Sequence, residues 1–258
     1  MNWSINGKTV KSLMKDGKEI IKVEKVADGK ILYEKQNYSV ATIAGSNVKL
    51  GASNTHWLLS TGDVEIDWGD GTSNIVNDPT QPLNHSYTDG LESHNIKIIG
   101  NVTSLGNYCF ENCDLLSIKI SDTITRLGYY CFLNCQNLTT IIIPNTVTKL
   151  EPYCFINCGL TSLTIPDSVT KLESPCVYNC ISLISVSIPS SVTSVGYYCF
   201  GDCTALVDYQ LYWTGSNILN TSDKLMYNID TIFTIPPGET VNYIAKGYPS
   251  DKLVERST

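Results

Sequence analysis

Residues 130–135 read Tyr130-Cys131-Phe132-Leu133-Asn134-Cys135, and this phrase decides the fold because it comes back four more times. Tyrosine, cysteine, a large apolar residue, two others and a second cysteine recur as Tyr108-Cys109-Phe110 to Cys113 and Tyr153-Cys154-Phe155 to Cys158. They recur again as Pro175-Cys176-Val177 to Cys180 and Tyr198-Cys199-Phe200 to Cys203. The first cysteines stand 22, 23, 22 and 23 residues apart. A fixed period in this range marks a stacked solenoid, since so short a unit cannot bury its apolar face without the next copy against it.

Outward from the phrase, each unit continues in one of two forms. Leu115, Ile118 and Ile120, like Leu160, Leu163 and Ile165, follow the second cysteine as C-x-L-x-x-[IL]-x-I. Leu138, Ile141 and Ile143, like Leu183, Val186 and Ile188, follow it with one more residue before the leucine. The extra residue falls in a turn, where length is cheap. The I-x-I end alternates as a half-buried strand does. Pro144, Pro166 and Pro189 end that strand because proline cannot donate to a ladder. Each unit is therefore predicted to be a strand, a proline corner and a short helical or irregular return.

These residues resemble the BspA-like leucine-rich-repeat proteins, whose unit reads roughly L-x-x-I-x-[IL]-P-x-S-[VL]-x-x-I-G-x-x-A-F-x-x-C. Leu163-Thr164-Ile165-Pro166-Asp167-Ser168-Val169 matches almost letter for letter. The family's alanine before phenylalanine is cysteine here, at Cys109, Cys131, Cys154 and Cys199. The resemblance implies the fold over about half the chain, and for function a class: binding or adhesion at microbial surfaces. It also implies that Tyr108, Tyr130, Tyr153 and Tyr198 are packing residues.

The chain of 258 residues has room for one large domain or two to three small ones, and 42% hydrophobic residues suffice for a core. No apolar run approaches the roughly 20 residues that cross a bilayer. The start, Met1-Asn2-Trp3-Ser4-Ile5-Asn6-Gly7-Lys8, lacks the apolar stretch of a secretory signal. Either a leader has been trimmed away or export does not follow that route. The net charge of −7 is uneven: residues 1–36 carry eight lysines against five acids. An acidic solenoid gives no electrostatic reason to hold nucleic acid, so that partner is excluded.

All ten cysteines fall in the repeats, where stacking would place equivalents about 4.8 Å apart in buried ladders. Free cysteine behaves as a small hydrophobe, and reduced core thiols are the expectation. Disulfides are the alternative. Zinc is disfavoured, since the C-x3-C spacing comes without paired C-x2-C units or histidines. Reduced ladders would suit an anaerobic or intracellular setting.

The predicted fold class is mainly β with short helices, in four parts. Residues 1–36 read as a small β-hairpin module with turn signals at Asn6-Gly7, Asp16-Gly17 and Asp28-Gly29. Its N-G-K…D-G-K…D-G-K pattern resembles leaders of tail and surface proteins of anaerobe-infecting viruses, which implies an anchoring partner. A plain structural hairpin pair is the other reading. Residues 37–100 contain Trp68-Gly69-Asp70-Gly71-Thr72, then His85-Ser86-Tyr87 and Asn95-Ile96-Lys97-Ile98-Ile99. These resemble a PKD-like β-sandwich, which implies that the tryptophan fills the sandwich and the tyrosine closes it. Its last strand, Asn95 to Ile99, is expected to run into the solenoid and cap it. Residues 101–213 hold the repeats. Residues 214–258 form a degenerate repeat and a cap in which Ile232–Ile235 precedes Pro236-Pro237-Gly238 and a short helix near Tyr243.

Catalytic chemistry finds no support. There is no G-x-S-x-G, H-E-x-x-H, G-x-x-x-x-G-K-[ST] or G-x-G-x-x-G, and His56, His85 and His94 accompany no nucleophile. No enzyme and no cofactor are predicted. Asp63, Glu65 and Asp67 alternate along one strand, which supplies only part of a calcium site, so a solvated acidic edge is the expectation.

Recognition remains. The outward strand positions form two columns: Ser117, Thr140, Ser162, Ser185 and Asp208, then Lys119, Ile142, Thr164, Ser187 and Gln210. Thr140, Ser162, Thr164, Ser185 and Ser187 give that face a small, nearly uncharged character suited to a carbohydrate or peptide. Tyr129, Tyr178 and Tyr197 fall where the repeat pattern is loose, and exposed rings there would stack on sugars. The 76–94 and 213–228 loops are further candidates. The expected partner is a cell-surface glycan or protein, met by a virion or tail component. A microbial surface adhesin and a structural spacer are the alternatives. The expected location is a virion or a cell surface.

Overall fold

The computed structural model describes residues 38–51, 57–60, 62–214, 232–246 and 248–257, together with six short backbone strands within 3–34. His56, the three Gly-containing turns near the N-terminus and the 215–228 part of the predicted loop lie outside the described residues. The chain divides into two units, residues 1–37 and 38–258. In the first, strands pair antiparallel as Trp3–Ile5 with Lys8–Val10, Met14–Lys15 with Lys18–Glu19, and Lys22–Ala27 with Lys30–Glu34. Each pair brackets one of the turn signals.

The second unit is mostly β, a solenoid of about six turns with almost no helix. Its described helices are Thr240–Ala245 and the short 3-10 turn Ser250–Lys252. Parallel strands Ser162–Thr164, Ser185–Ile188, Asp208–Leu211, Ile232–Ile235 and Leu253–Glu255 stack in that order. The return segments are tight turns rather than helices. A second parallel column forms where the chain comes back, with Val102–Leu105, Arg126–Leu127 and Lys149–Leu150 in register. Lys171–Leu172 pairs with Ser194–Val195 in the same way.

The join at the N-terminal end differs from the sequence expectation. Strand order is Ser73–Ile75, Glu65–Asp67, Ser93–Ile99, Tyr38–Ala44, Leu115–Lys119. The strand ending at Ile99 does not meet the first repeat strand, because Tyr38–Ala44 lies between them, antiparallel to both. That strand alternates strictly, burying Ser39, Ala41 and Ile43, so one register serves both neighbours. The second column has its own graft, Leu58–Ser60 lying antiparallel to Val102–Leu105. Both sheets of the array thus begin on strands from outside the repeats, which covers the first rung.

Within the rungs, numbered one to five by their cysteine pairs, the core is a set of ladders. Phe110, Phe132 and Phe155 stack with centroids 5.6 and 5.3 Å apart and planes within 2°. All ten cysteines are free and buried. The first of each pair is fully buried. The second uses its S–H: Cys135 Sγ donates to Phe110 O at 3.2 Å, Cys158 to Phe132 O and Cys180 to Phe155 O at 3.1 Å. Burial pushes the Cys113 and Cys199 thiols up to about 12, so both stay protonated, and Cys113 Sγ donates to Lys49 O at 3.3 Å.

At the far end, Tyr243 of the short helix donates its hydroxyl to Trp213 O at 2.9 Å, and Trp213 Nε1 donates to Val192 O at 2.8 Å. Arg256 lies 3.6 Å over the Tyr212 ring. These contacts tie the C-terminal segment to the last rungs.

Candidate recognition surfaces

Two surfaces carry the residues singled out by sequence, and they lie on different parts of the rung. The first is the strand face. Register places Ser162, Ser185, Asp208 and Ile232 in one column and Thr164, Ser187, Gln210 and Thr234 in the next. Lys119 and Ile142 meet through a single parallel bridge. Thr140, Ser162 and Thr164 are exposed, whereas Ser185 and Ser187 are half-buried. Toward rung five the face becomes self-satisfied, since Asp208 accepts from Gln210 Nε2 at 3.0 Å and Thr234 Oγ1 at 3.1 Å. Ile142 interrupts the polar character at 82% exposure. Beside it opens a hollow of about 430 Å³ floored by Ile141, Ile143 and Pro166 and edged by Thr164.

The second surface is the turn that follows the return strand, where Tyr-Cys-Phe begins. Here the chain enters the left-handed region: Tyr108, Tyr130, Tyr153 and Tyr198 have φ of 57°, 55°, 63° and 55°. A bulky residue seldom adopts that conformation, and backbone hydrogen bonds between rungs, such as Tyr108 N to Tyr129 O at 2.9 Å, hold the turn while three of the four rings stack. Tyr108 lies 4.9 Å from Tyr130, and Tyr130 lies 4.9 Å from Tyr153, with planes within 9° and 3°. The fourth place belongs to Pro175, whose ring fixes a negative φ and offers no aromatic face. The ladder stops there. Tyr198 resumes the position alone and is 57% exposed, whereas the stacked tyrosines are half-buried. The packing role implied for Tyr198 is therefore corrected, because that role needs a neighbour one rung away and rung four does not supply it.

The tyrosines of the preceding column sit beside this ladder. Tyr129 and Tyr197 are 39% and 59% exposed and stand three rungs apart, about 14 Å at a strand spacing of 4.8 Å. Pro152 and Ser174 occupy the places between. Tyr178 is elsewhere in the turn and half-buried. Its ring lies across Gly201, where an added Cβ would come within 2.9 Å of Cε2, and its hydroxyl donates to Asp202 Oδ2. That hydrogen bond and the carboxylate charge hold the Tyr178 phenol above its ordinary range.

Sequence reasoning passed over a third ladder in the same turn. Asn112, Asn134, Asn157 and Asn179 precede the second cysteine, all with positive φ, a conformation asparagine tolerates better than most residues. Asn134 Nδ2 donates to Asn112 Oδ1 at 2.7 Å, Asn157 to Asn134 at 2.7 Å, and Asn179 to Asn157 at 2.6 Å. Rung five ends it with Asp202. The signal was in plain view as N-C in four of five copies.

The acidic strand is not an edge. Glu65–Asp67 is paired on both sides, by Ser73–Ile75 and Ser93–Ile99. Asp67 accepts from Lys97 Nζ at 2.8 Å and from Gly69 N at 2.9 Å. Burial works to raise its pKa, and these donors outweigh it, so Asp67 sits below the ordinary carboxylate range. Among the described residues, no three His, Cys, Asp or Glu side chains come together as a metal site. Nearby, Trp68 is fully buried with its Nε1 on Asn74 Oδ1 at 2.7 Å, and Tyr87 donates its hydroxyl to Trp68 O at 2.8 Å. His85 stacks on Trp68 and its Nε2 meets Asp70 at 2.7 Å. Glu151 is buried under Arg126 Nε and Lys149 Nζ, both at 2.8 Å, which is an ion-pair fastening between rungs.

Comparison with protein families places this geometry. The BspA type leucine rich repeat region matches residues 83–184 and 125–248 in six copies, together more than half the chain. The chain belongs to this family. Among solved structures, the pneumococcal vaccine antigen PcpA is similar with a TM-score of 0.53 at 16% identity, over 60% of this chain and 40% of that one. That likeness is one of fold. A leucine rich cell surface protein of Faecalibacterium prausnitzii A2-165 is 29% identical over 45% of this chain and 31% of its own, with a TM-score of 0.41. The T. pallidum leucine rich repeat protein is 19% identical over 63% and 80%, with a TM-score of 0.42. The chain spans less than half the length of the first two of these proteins. Comparison with curated proteins finds no match.

Proposed function

We propose that this chain is a non-enzymatic recognition protein that binds a cell-surface ligand, glycan or protein, through the turn face of its solenoid. The observation that carries the reading is the exposure of Tyr129, Tyr197 and Tyr198 on a tightly hydrogen-bonded turn, when the stacked Tyr108, Tyr130 and Tyr153 are partly covered. Large rings held outward on a rigid framework are what recognition of sugars and peptides uses. The uncharged strand face with Thr140, Ser162, Thr164, Ser185 and Ser187 offers a second, weaker contact surface. In this reading residues 37–100 are a PKD-like sandwich that starts the array, and the N-terminal hairpins dock to an anchoring partner.

Two carriers fit. The lysine-rich hairpin leader favours a virion or tail component. The BspA-type repeat family, whose resemblance implies binding or adhesion at microbial surfaces, favours a bacterial surface adhesin. Binding of fluorescently labelled protein to intact bacterial cells, with envelope polysaccharides as competitors, tests the recognition itself. Saturable binding that falls when Tyr129 and Tyr197 are both changed to alanine supports it. A folded protein that binds no envelope leaves a structural spacer in its place. Detection of the chain in purified virus particles, or in the cell envelope, separates the two carriers.

A further inference from the structure

The place left empty in the tyrosine ladder is itself a binding site, and we propose that it takes one pyranose ring of a carbohydrate chain between Tyr153 and Tyr198. The inference rests on the recognition reading above and names where and what. Tyr153 and Tyr198 hold the same place in the unit two rungs apart, with Pro175 between them. The ladder's own step is 4.9 Å. A ring seated over Pro175 would therefore stand about one step from either tyrosine, inside the roughly 4.5–7 Å range at which rings make favourable contact. Rungs one to three show what fills such a place when the chain supplies it. At rung four the chain supplies a half-buried proline, an apolar residue with no aromatic ring to stack on Tyr153 or Tyr198.

Tyr198 gives the second line of argument. It keeps the same left-handed φ of 55° as the stacked tyrosines, yet it is 57% exposed and no ring stack to it is found among the described residues. A ring entering the gap would restore for Tyr198 the contact that the other tyrosines have.

The rim decides the occupant. Tyr178 reaches from rung four over Gly201 and donates its hydroxyl to Asp202, which is exposed in the same turn as Tyr198. Ser174 is exposed just before Pro175, its hydroxyl donating to Tyr197 O. Carboxylate, phenol and hydroxyl oxygens thus lie in the same turns as Pro175 and Tyr198. A pyranose presents apolar C–H faces to the two rings and hydroxyls to that border. An aromatic side chain of a protein partner would satisfy the slot but bring Asp202 at most one donor, where a pyranose brings several hydroxyls.

The test is calorimetric titration of the full chain with maltotetraose, cellotetraose and chitotetraose, and with N-acetyl-tyrosine amide as the aromatic probe. Two variants accompany it. Tyr198→Ala removes one wall, and Pro175→Tyr fills the place from within the chain. Melting curves confirm that each is folded, and Asp202→Ala reports the rim should Pro175→Tyr not fold. At least one tetrasaccharide is expected to bind, with affinity lowered about tenfold by Tyr198→Ala and abolished by Pro175→Tyr. Asp202→Ala should weaken the sugar more than the tyrosine amide. Sugar binding that all variants retain overturns the slot while recognition stands. Binding of the tyrosine amide without any sugar overturns the carbohydrate assignment. Cell binding by the wild type that Tyr198→Ala leaves intact also rejects the slot, whereas absence of cell binding rejects the recognition reading on which it rests.

Discussion

Rungs one to three and rungs four to five obey one period and differ in what fills it. In the first group tyrosine stacks on tyrosine, phenylalanine on phenylalanine and asparagine bonds to asparagine across each step. In rung four Pro175 and Val177 replace two of those aromatics, and in rung five Asp202 replaces the asparagine. The cysteine and leucine positions run through both groups unchanged and buried. The backbone, then, is held by the small apolar positions and by hydrogen bonds between rungs, while the aromatic ladders are additions that can lapse. Past the point where they lapse, Tyr198 is 57% exposed, whereas the stacked tyrosines are half-buried. A repeat is most uniform where it only holds itself together, and most irregular where it has surface to offer.

The comparison can be broken most severely from inside. Phe132 is stacked on both sides, so Phe132→Ala should cost about 3–5 kcal/mol. Val177→Ala, at the equivalent place in rung four, should cost about half as much. Urea melts of the two variants measure it; equal losses would mean that the Phe stack adds nothing beyond area. Next comes the asparagine ladder. Asn157 donates to Asn134 and accepts from Asn179 while holding φ of 54°. Asn157→Ala should lose about 2 kcal/mol, and Asp202→Ala, beyond the end of the ladder, less than about 1.

A pH titration sharpens the claim that the cysteine ladders cross the break. Thiols ionise near 9.0 when exposed, and burial pushes Cys113 and Cys199 up to about 12. The folded state therefore keeps protons that the unfolded chain gives up above pH 9. That contribution to stability is fully present below pH 9 and is lost as pH rises from there toward 12. Melting temperature should fall through that window at both ends of the array alike. Thiol titration should find ten groups in denaturant and almost none in the native protein. Faster labelling of Cys176 and Cys180 than of Cys131 and Cys135 would show that rung four is loosened.

Much of the fold was legible because its signal is periodic: five cysteine pairs, the I-x-I strand and its proline stop each repeat, and repetition specifies stacking. What escaped depends on neighbours far along the chain. Whether a tyrosine at position 198 packs or projects is settled by residue 175, which alternation within the unit does not reveal. The place of Tyr38–Ala44 between Ser93–Ile99 and Leu115–Lys119 is a pairing choice between three strands of similar pattern. The asparagines were visible as letters, but their hydrogen bonds run across rungs and leave no mark within one. Of the candidate binding residues, exposure of Tyr129 and Tyr197 followed from their looseness in the pattern, while Tyr178 lies against Gly201 for a reason carried by the next rung.

The most direct test of the account is a single comparison of cell binding. Labelled wild-type protein, Tyr198→Ala and Tyr108→Ala are titrated onto the same intact bacterial cells, with melting curves run in parallel. Tyr108 ends the unbroken ladder, and Tyr198 stands beyond the break. The account predicts saturable binding by the wild type and by Tyr108→Ala, and a loss of about tenfold for Tyr198→Ala with its melting temperature preserved. Equal binding by all three folded proteins would contradict it.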